Sequence, residues 1–185
     1  MDHYLDIHVL PDPEFDINVI MNALYSKLHR GFASVGHGEL GVSFPGMDKK
    51  GLGSQLRLHG THESLSRLMA IQWVVGLRDH IQISNILLVP EVVQHRVVSR
   101  MQVKSSAERL RRRSVKNGKL TEAEAQERIL ETNEKRCKLP FIQLKSSSTG
   151  QIFHLYIQHS APQFNSVAGK FSDYGLSSVA TVPYF

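Results

Sequence analysis

Residues 4–16 read Y-L-D-I-H-V-L-P-D-P-E-F-D, a strand and the entry to a helix. Leu5, Ile7 and Val9 alternate with more polar neighbours, the period of a strand with one buried face. Pro11 and Pro13 end that run, and Asp16 stands where a helix N-cap belongs. Ile17, Ile20, Met21, Leu24, Leu28 and Phe32 then recur at helical spacing, with Gly36 and Gly38 to close the helix. The chain therefore opens strand–helix. L-G-V-S-F-P (40–45) and S-Q-L-R-L-H (54–59) read as two strands of a meander. Thr61 is placed to cap a second helix holding Leu65, Leu68 and Met69, and I-Q-I-S-N-I-L-L-V-P (81–90) supplies another strand. Strand, helix, strand, strand, helix, strand is the ferredoxin-like order, the one RNA-recognition modules use. No aromatic RNP signature occurs in residues 1–95, so the sheet face need not be an RNA platform.

The second half is built differently. V-V-S-R-M-Q-V (97–103) alternates as a strand. Ser105 precedes Glu108 at capping-box spacing and Gly118 sits at a C′ position, which predicts a helix of about three turns over 106–117. Leu110 and Ala107 are expected to turn towards packing. Thr121 and Glu124 repeat the capping-box signal for a helix through residues 123–135. F-I-Q-L-K, I-F-H-L-Y-I-Q and V-A-T-V-P-Y-F follow as strands. The expected fold is α+β, with a ferredoxin-like domain over 1–95 and a second α+β domain over 96–185 that carries the basic helix.

Charge points to a class of partner. Of 22 Lys and Arg and 17 Asp and Glu, nine basic residues and one acid, Glu108, fall between Arg96 and Lys119. That segment carries +8, while the remaining 13 basic and 16 acidic residues carry −3. A concentrated basic stripe on a near-neutral body is the footprint of a polyanion binder. Composition alone does not separate RNA from DNA or an acidic membrane. No apolar run is long enough to span a bilayer, and the N-terminal residues lack a signal-peptide layout. A single cysteine, Cys137, excludes an internal disulfide framework and is read as a buried thiol in a reducing cytosol.

Arg109, Arg112, Arg113 and Lys116 share one face at i, i+3, i+4 and i+7. Charge runs are often only solvated faces, but such faces normally interleave both signs, and here counter-charge is missing. Arg100 and Gln102 stand two apart on the predicted strand, where arginine suits a guanine edge and glutamine an adenine edge. Two residues at strand spacing are also common by chance. The His59/His62 and His154/His159 pairs lack a Cys or carboxylate at metal-ligand spacing. His29 flanks the apolar stripe of the first helix, and from spacing alone it reads as a structural histidine at the domain edge. K-S-S-S-T-G (145–150) has neither a phosphate-loop pattern nor a nucleophile elbow around it and reads as a polar turn, as does D-Y-G-L-S (173–177).

These pieces, in this order, resemble the CRISPR-repeat-processing endoribonucleases of subtype I-F, the Csy type. The stretches that carry the resemblance are M-D-H-Y-L-D-I with P-D-P-E-F, K-L-H, G-V-S-F-P, G-L-R-D-H and V-S-R-M-Q. A-E-R-L-R-R-R, L-P-F-I-Q-L, S-S-S-T-G-Q with Phe153, Y-G-L-S and V-P-Y-F complete it, across essentially the whole chain. The resemblance implies cleavage of the hairpin in each CRISPR repeat transcript and retention of the mature guide RNA. It makes His29 the general base on a ribose 2′-OH, Ser146 the residue holding that ribose, and Tyr174 the residue orienting the histidine or scissile group. The run of three serines leaves Ser148 as a second hydroxyl for the ribose. Arg100 and Gln102 match the family's base-reading pair and Phe153 an aromatic that stacks on the terminal base pair. Lys104, Arg109, Arg112, Arg113 and Lys116 belong to the basic segment that grips phosphates in the RNA major groove. No cofactor or metal is implied. The implied setting is the cytoplasm, with other subunits of a CRISPR surveillance complex as partners. A non-catalytic hairpin-binding subunit and a basic DNA-binding regulator are the rival readings.

Overall fold

The computed structural model describes residues 1–35, 38–102, 107–128, 137–146 and 148–185, and only the backbone of 107–109. The opening stretch forms β1 (His3–Val9), in which Leu5, Ile7 and Val9 are buried. Asp16 caps α1 (Ile17–Val35) as its spacing predicts: its carboxylate accepts the Asn18 N–H at 2.8 Å, and its carbonyl accepts from Val19 and Ile20. β2 (Gly41–Ser43), β3 (Gln55–Gly60), α2 (His62–Ala70) and β4 (Ile81–Ile83) follow. Thr61 caps α2 in a reciprocal box with Ser64. The strands lie in the order β2-β3-β1-β4, every pair antiparallel, which is the arrangement that a split β-α-β-β-α-β chain adopts.

One expected strand is two. The 81–90 run breaks into β4 and a short β5 (Leu87–Leu88), both paired with β1. Ser84 causes the break. Its hydroxyl accepts the Asp6 N–H at 2.9 Å while its own N–H donates to the Asp6 carbonyl. The register then slips by one residue, from Ile7↔Ile83 to Tyr4↔Leu87, which is a β-bulge.

The second sheet has the order β7-β8-β6-β9, again antiparallel: β6 is Gln94–Met101, β7 Phe141–Lys145, β8 Ile152–His159 and β9 Thr181–Tyr184. Val98, Ile142, Leu144, Leu155, Ile157 and Val182 join the first sheet's apolar residues in one core. Helix α1 lies against β7, and the Asn22 side-chain carbonyl accepts the Gln143 N–H at 2.9 Å on that edge strand. This contact brings the helix that carries His29 alongside the β7–β8 hairpin.

Both sheets belong to one compact unit, Met1–Met101 with Leu139–Phe185; Gln102–Lys138 form a second. In the second unit α3 (Ala107–Lys116) packs with α4 (Glu122–Arg128). α3 ends in a Schellman motif, with Gly118 at φ +66°, its N–H on the Val115 carbonyl and the Lys119 N–H on the Ser114 carbonyl. The Thr121–Glu124 box is formed, the carboxylate accepting from the Thr121 N–H at 2.9 Å. Leu110 is exposed, contrary to the expectation that it packs, and Cys137 is half-buried rather than enclosed. Ser105 and the predicted continuation of α4 through residue 135 lie outside the described residues.

Two histidines tie the fold to pH. His59 is fully buried, with Nε2 2.8 Å from the Ser43 hydroxyl, and burial, then the Arg57 charge, push its pKa down to about 3. His159 is pushed down to about 4 by burial and then by Arg96. An unfolded chain protonates both near 6.5, so below that pH the unfolded state binds more protons and stability falls. The loss begins near pH 6.5 and levels off only below the folded values, costing about 1–2 kcal/mol per histidine by pH 5. Urea midpoints measured at pH 7 and pH 5 are expected to fall at pH 5, and less so in a His159→Gln variant. Equal midpoints in the native protein would show that these imidazoles are not held neutral.

Candidate active site

Helix α1 buries Leu24, Tyr25, Leu28 and Phe32, which leaves His29 half-buried on the flank of the apolar stripe. Its Nδ1 lies 2.8 Å from the Asp173 carbonyl oxygen. A carbonyl only accepts, so Nδ1 carries the proton and Nε2 of the neutral ring keeps its lone pair. The Tyr174 ring stacks on the imidazole, with centroids 4.2 Å apart and planes 9° from parallel.

The loop that supplies both contacts is tied down on several sides. Tyr25, one helical turn before His29 and fully buried, donates its hydroxyl to the Tyr174 carbonyl. Successive carbonyls, of Asp173 and Tyr174, are thus held by two side chains four residues apart on one helix. Burial, and then proximity to Tyr174, raise the Tyr25 pKa, so its hydroxyl stays a donor. Ser172 pairs with Leu176 across the turn, and the Gly175 carbonyl accepts the Val42 N–H at 3.0 Å. Gly175 takes φ +68°, a conformation that favours glycine.

Opposite lies the turn from β7 to β8. The Ser146 N–H donates to the Gln151 carbonyl at 2.8 Å and the Gly150 N–H to the Ser146 carbonyl at 2.9 Å. The Ser146 hydroxyl lies 3.2 Å from that of Ser148 and accepts the Thr149 N–H at 3.3 Å. Gly150 sits at φ +67°. Ser146 is half-buried and Ser148 exposed.

His29, Ser146, Ser148, Phe153 and Tyr174 line one cleft of about 710 Å³. Residues 29, 146 and 174 are far apart in sequence, and the fold brings them to one place. Arg100, on β6, holds its guanidinium 5.8 Å from the centroid of the Phe153 ring on β8, within cation–π range. Sequence reasoning missed Ser26, Arg30 and Lys145, which also line the cleft. Ser26 and Arg30 share a helix face with His29, a signal that i, i+3 and i+4 spacing carries. The cleft holds two cationic side chains and no carboxylate among its described lining, a balance that favours an anionic ligand. Among the described residues no three His, Cys, Asp or Glu side chains gather as a metal ion requires.

The remaining expected contacts are distributed differently. β6 ends at Met101, opposite Tyr156, so Gln102 follows the strand instead of standing on it beside Arg100, and it is exposed. The cause is that the chain leaves the sheet there, while β8 runs on beside β7 alone. Lys104 lies outside the described residues. Arg109 falls on α3 by its backbone, and Arg112, Arg113 and Lys116 are exposed on the same helix. Arg113 and Lys116 occupy its last turn, where cations oppose the negative end of the helix dipole.

Residues 4–185 match the family of CRISPR-associated proteins named Cas_Csy4. A protein of Escherichia coli (strain UTI89 / UPEC) named CRISPR-associated endonuclease Cas6/Csy4 is 50% identical over 185 residues, covering all of both chains. One of Pseudomonas aeruginosa (strain UCBPP-PA14) with the same name is 45% identical over 187 residues, again covering both chains completely. On a match that spans nearly its whole length, the chain belongs to the Cas_Csy4 family of CRISPR-associated proteins.

Proposed function

We propose that this chain is a CRISPR-associated endoribonuclease that binds the hairpin of a CRISPR repeat transcript, cuts at its 3′ base and keeps the mature guide RNA. The relatives' shared name supports the endonuclease activity and its CRISPR setting. One observation carries the chemistry: His29 commits Nδ1–H to the Asp173 carbonyl, which reserves Nε2 as the proton acceptor in a cleft lined with hydroxyls.

RNA brings its own nucleophile. His29 takes the proton from the ribose 2′-OH, the oxygen attacks the adjacent phosphorus, and the P–O5′ bond breaks; the departing O5′ takes a proton from solvent, leaving a 2′,3′-cyclic phosphate and a 5′-OH. Alignment of the attacking oxygen and one positioned base supply the acceleration, with no metal required. Ser146, half-buried and fixed by its turn, holds the ribose, while the exposed Ser148 contacts the RNA beside it. Tyr174 keeps the imidazole plane in place by stacking.

Recognition divides between two parts of the chain, residues 1–95 carrying the base and 96–185 the RNA contacts. Arg100 and Phe153 meet the lowest base pair of the stem, where an A-form duplex ends and its edges open. Gln102 reads a base beside them. The segment with Lys104, Arg109, Arg112, Arg113 and Lys116 holds phosphates and supplies affinity without sequence choice. Partners are the repeat hairpin, before and after the cut, and the other subunits of a CRISPR surveillance complex.

The reading is tested by cleavage and binding of matched and mismatched stems. The native protein is expected to convert a repeat hairpin to two products, where a purely binding subunit gives none. Arg100→Ala should relax choice at one base pair, costing about 1–3 kcal/mol on the matched stem alone. Arg112→Ala should weaken every hairpin alike and flatten the salt dependence by about one phosphate contact. Equal losses of both variants on matched and mismatched stems contradict this division.

A further inference from the structure

Helix α1 meets the loop 172–177 through two side chains, and only one of them handles a proton in the proposed cleavage. His29 meets the Asp173 carbonyl through Nδ1 at 2.8 Å. Tyr25, four residues earlier on the same face, donates its hydroxyl to the Tyr174 carbonyl. Packing does not call for that hydroxyl. The Tyr25 ring is fully buried and lies against Phe44, with centroids 6.0 Å apart and planes 27° from parallel, a place that a phenylalanine would fill as well. A hydroxyl buried there costs free energy unless it is bonded, so its contribution lies in what it holds.

What it holds is one peptide group. The ends of the turn are fixed by other contacts. The Ser172 N–H donates to the Leu176 carbonyl and the Gly175 N–H to the Ser172 carbonyl, both at 2.8 Å, and the Ser177 N–H donates to the Val98 carbonyl at 3.0 Å. Between those ends, the Tyr174 carbonyl is held by Tyr25. Tyr174 also carries the ring that stacks on His29, and its own peptide N–H belongs to the same peptide group as the Asp173 carbonyl that meets Nδ1. A rotation of the Tyr174 backbone therefore moves both groups that touch the imidazole.

We propose that Tyr25 is a positioning residue of this site: by holding the Tyr174 carbonyl, its hydroxyl keeps the Asp173 carbonyl on Nδ1 of His29 and so keeps Nε2 free of a proton. The inference rests on the proposed role of His29 as the base and names the group that keeps that base in working form. Without the hydroxyl, the Tyr174 carbonyl loses its partner and the peptide turns towards another donor. The Asp173 carbonyl moves with it. An imidazole released from that acceptor can carry its proton on Nε2, the nitrogen that has to accept one.

Tyr25→Phe tests this, since it keeps the ring and removes only the O–H. Single-turnover cleavage of a repeat hairpin should fall by about tenfold, within the loss that a small misplacement of a reacting group produces. Affinity for a hairpin with a 2′-deoxy sugar at the nucleophile should stay within about twofold, because a fully buried side chain meets no RNA. Nitrogen NMR of the neutral His29 ring should show Nδ1 protonated in the native protein and Nε2 protonated, wholly or in part, in the variant. Ile20→Val, a buried change elsewhere on α1, is the stability control: it should lower Tm to a similar extent and leave both rate and tautomer native. A folded Tyr25→Phe that cuts at the native rate, that keeps the native tautomer, or whose loss of rate is matched by Ile20→Val overturns the proposal. The tautomer is read without RNA, so the two ideas fail separately. A native protein that does not cut the hairpin removes the proposed function, while an unchanged tautomer removes the role of Tyr25.

Discussion

His29→Ala is expected to slow cleavage of the repeat hairpin by about 10²–10⁴-fold, the range of one positioned acid–base group, while hairpin affinity changes by less than about threefold. The split follows from what the side chain touches. Its Nδ1 is spent on the Asp173 carbonyl and its ring lies against Tyr174, so the group it offers to RNA is a single lone pair. In the proposed function the phosphate contacts, which dominate affinity, come from other residues. Single-turnover cleavage and a binding titration on the same RNA measure the two quantities. A variant that cuts at the native rate removes His29 from the chemistry. One that loses binding in proportion makes it an RNA contact instead.

Gly175→Ala is expected to be the most damaging single change in the loop that contacts His29. Gly175 has φ +68°, which costs a residue with a β-carbon about 1–2 kcal/mol. The new β-carbon would also come within 2.7 Å of both the Phe32 ring and a Val42 methyl, an overpacking that costs about 1–3 kcal/mol. Together these predict a loss of roughly 2–5 kcal/mol, or about 4–20 °C in Tm for a chain of this length. The Gly175 carbonyl is held by Val42 and its neighbour's by Tyr25, so the strain passes to the Asp173 and Tyr174 contacts on His29. Cleavage at a temperature where the variant is folded should fall by roughly 10–100-fold. Native stability together with native cleavage would show that the loop yields without cost.

Local chemistry made much of the fold readable. Leu5, Ile7 and Val9 alternate because β1 buries one face, and Asp16, Thr61 and Thr121 cap helices through contacts within a few residues. Gly118 stops α3 because only its own φ matters there. What spacing did not reveal depends on partners distant in sequence. Ser84 breaks the 81–90 strand through a hydrogen bond to Asp6, 78 residues away. Tyr25 looks like one more apolar residue of α1 until its hydroxyl is seen to meet the Tyr174 carbonyl, 149 residues on. His29 itself reads as structural from spacing. Its role as a base is what the K-L-H resemblance implies, and the Asp173 carbonyl, 144 residues on, is the partner that spacing does not show. Alternation puts Gln102 on a strand, but pairing decides where a strand ends, and alternation does not report pairing.

The proposed cleavage uses the ribose 2′-OH as nucleophile, activated by Nε2 of His29. A repeat hairpin with one 2′-deoxy sugar immediately 5′ of the scissile phosphate tests this most directly, compared with the all-ribose RNA in the presence of a chelator. The all-ribose hairpin is expected to be cut to 2′,3′-cyclic phosphate and 5′-OH ends, and the deoxy hairpin to be bound equally well and left whole. Cleavage of the deoxy hairpin, or 5′-phosphate ends from the ribose one, would contradict it.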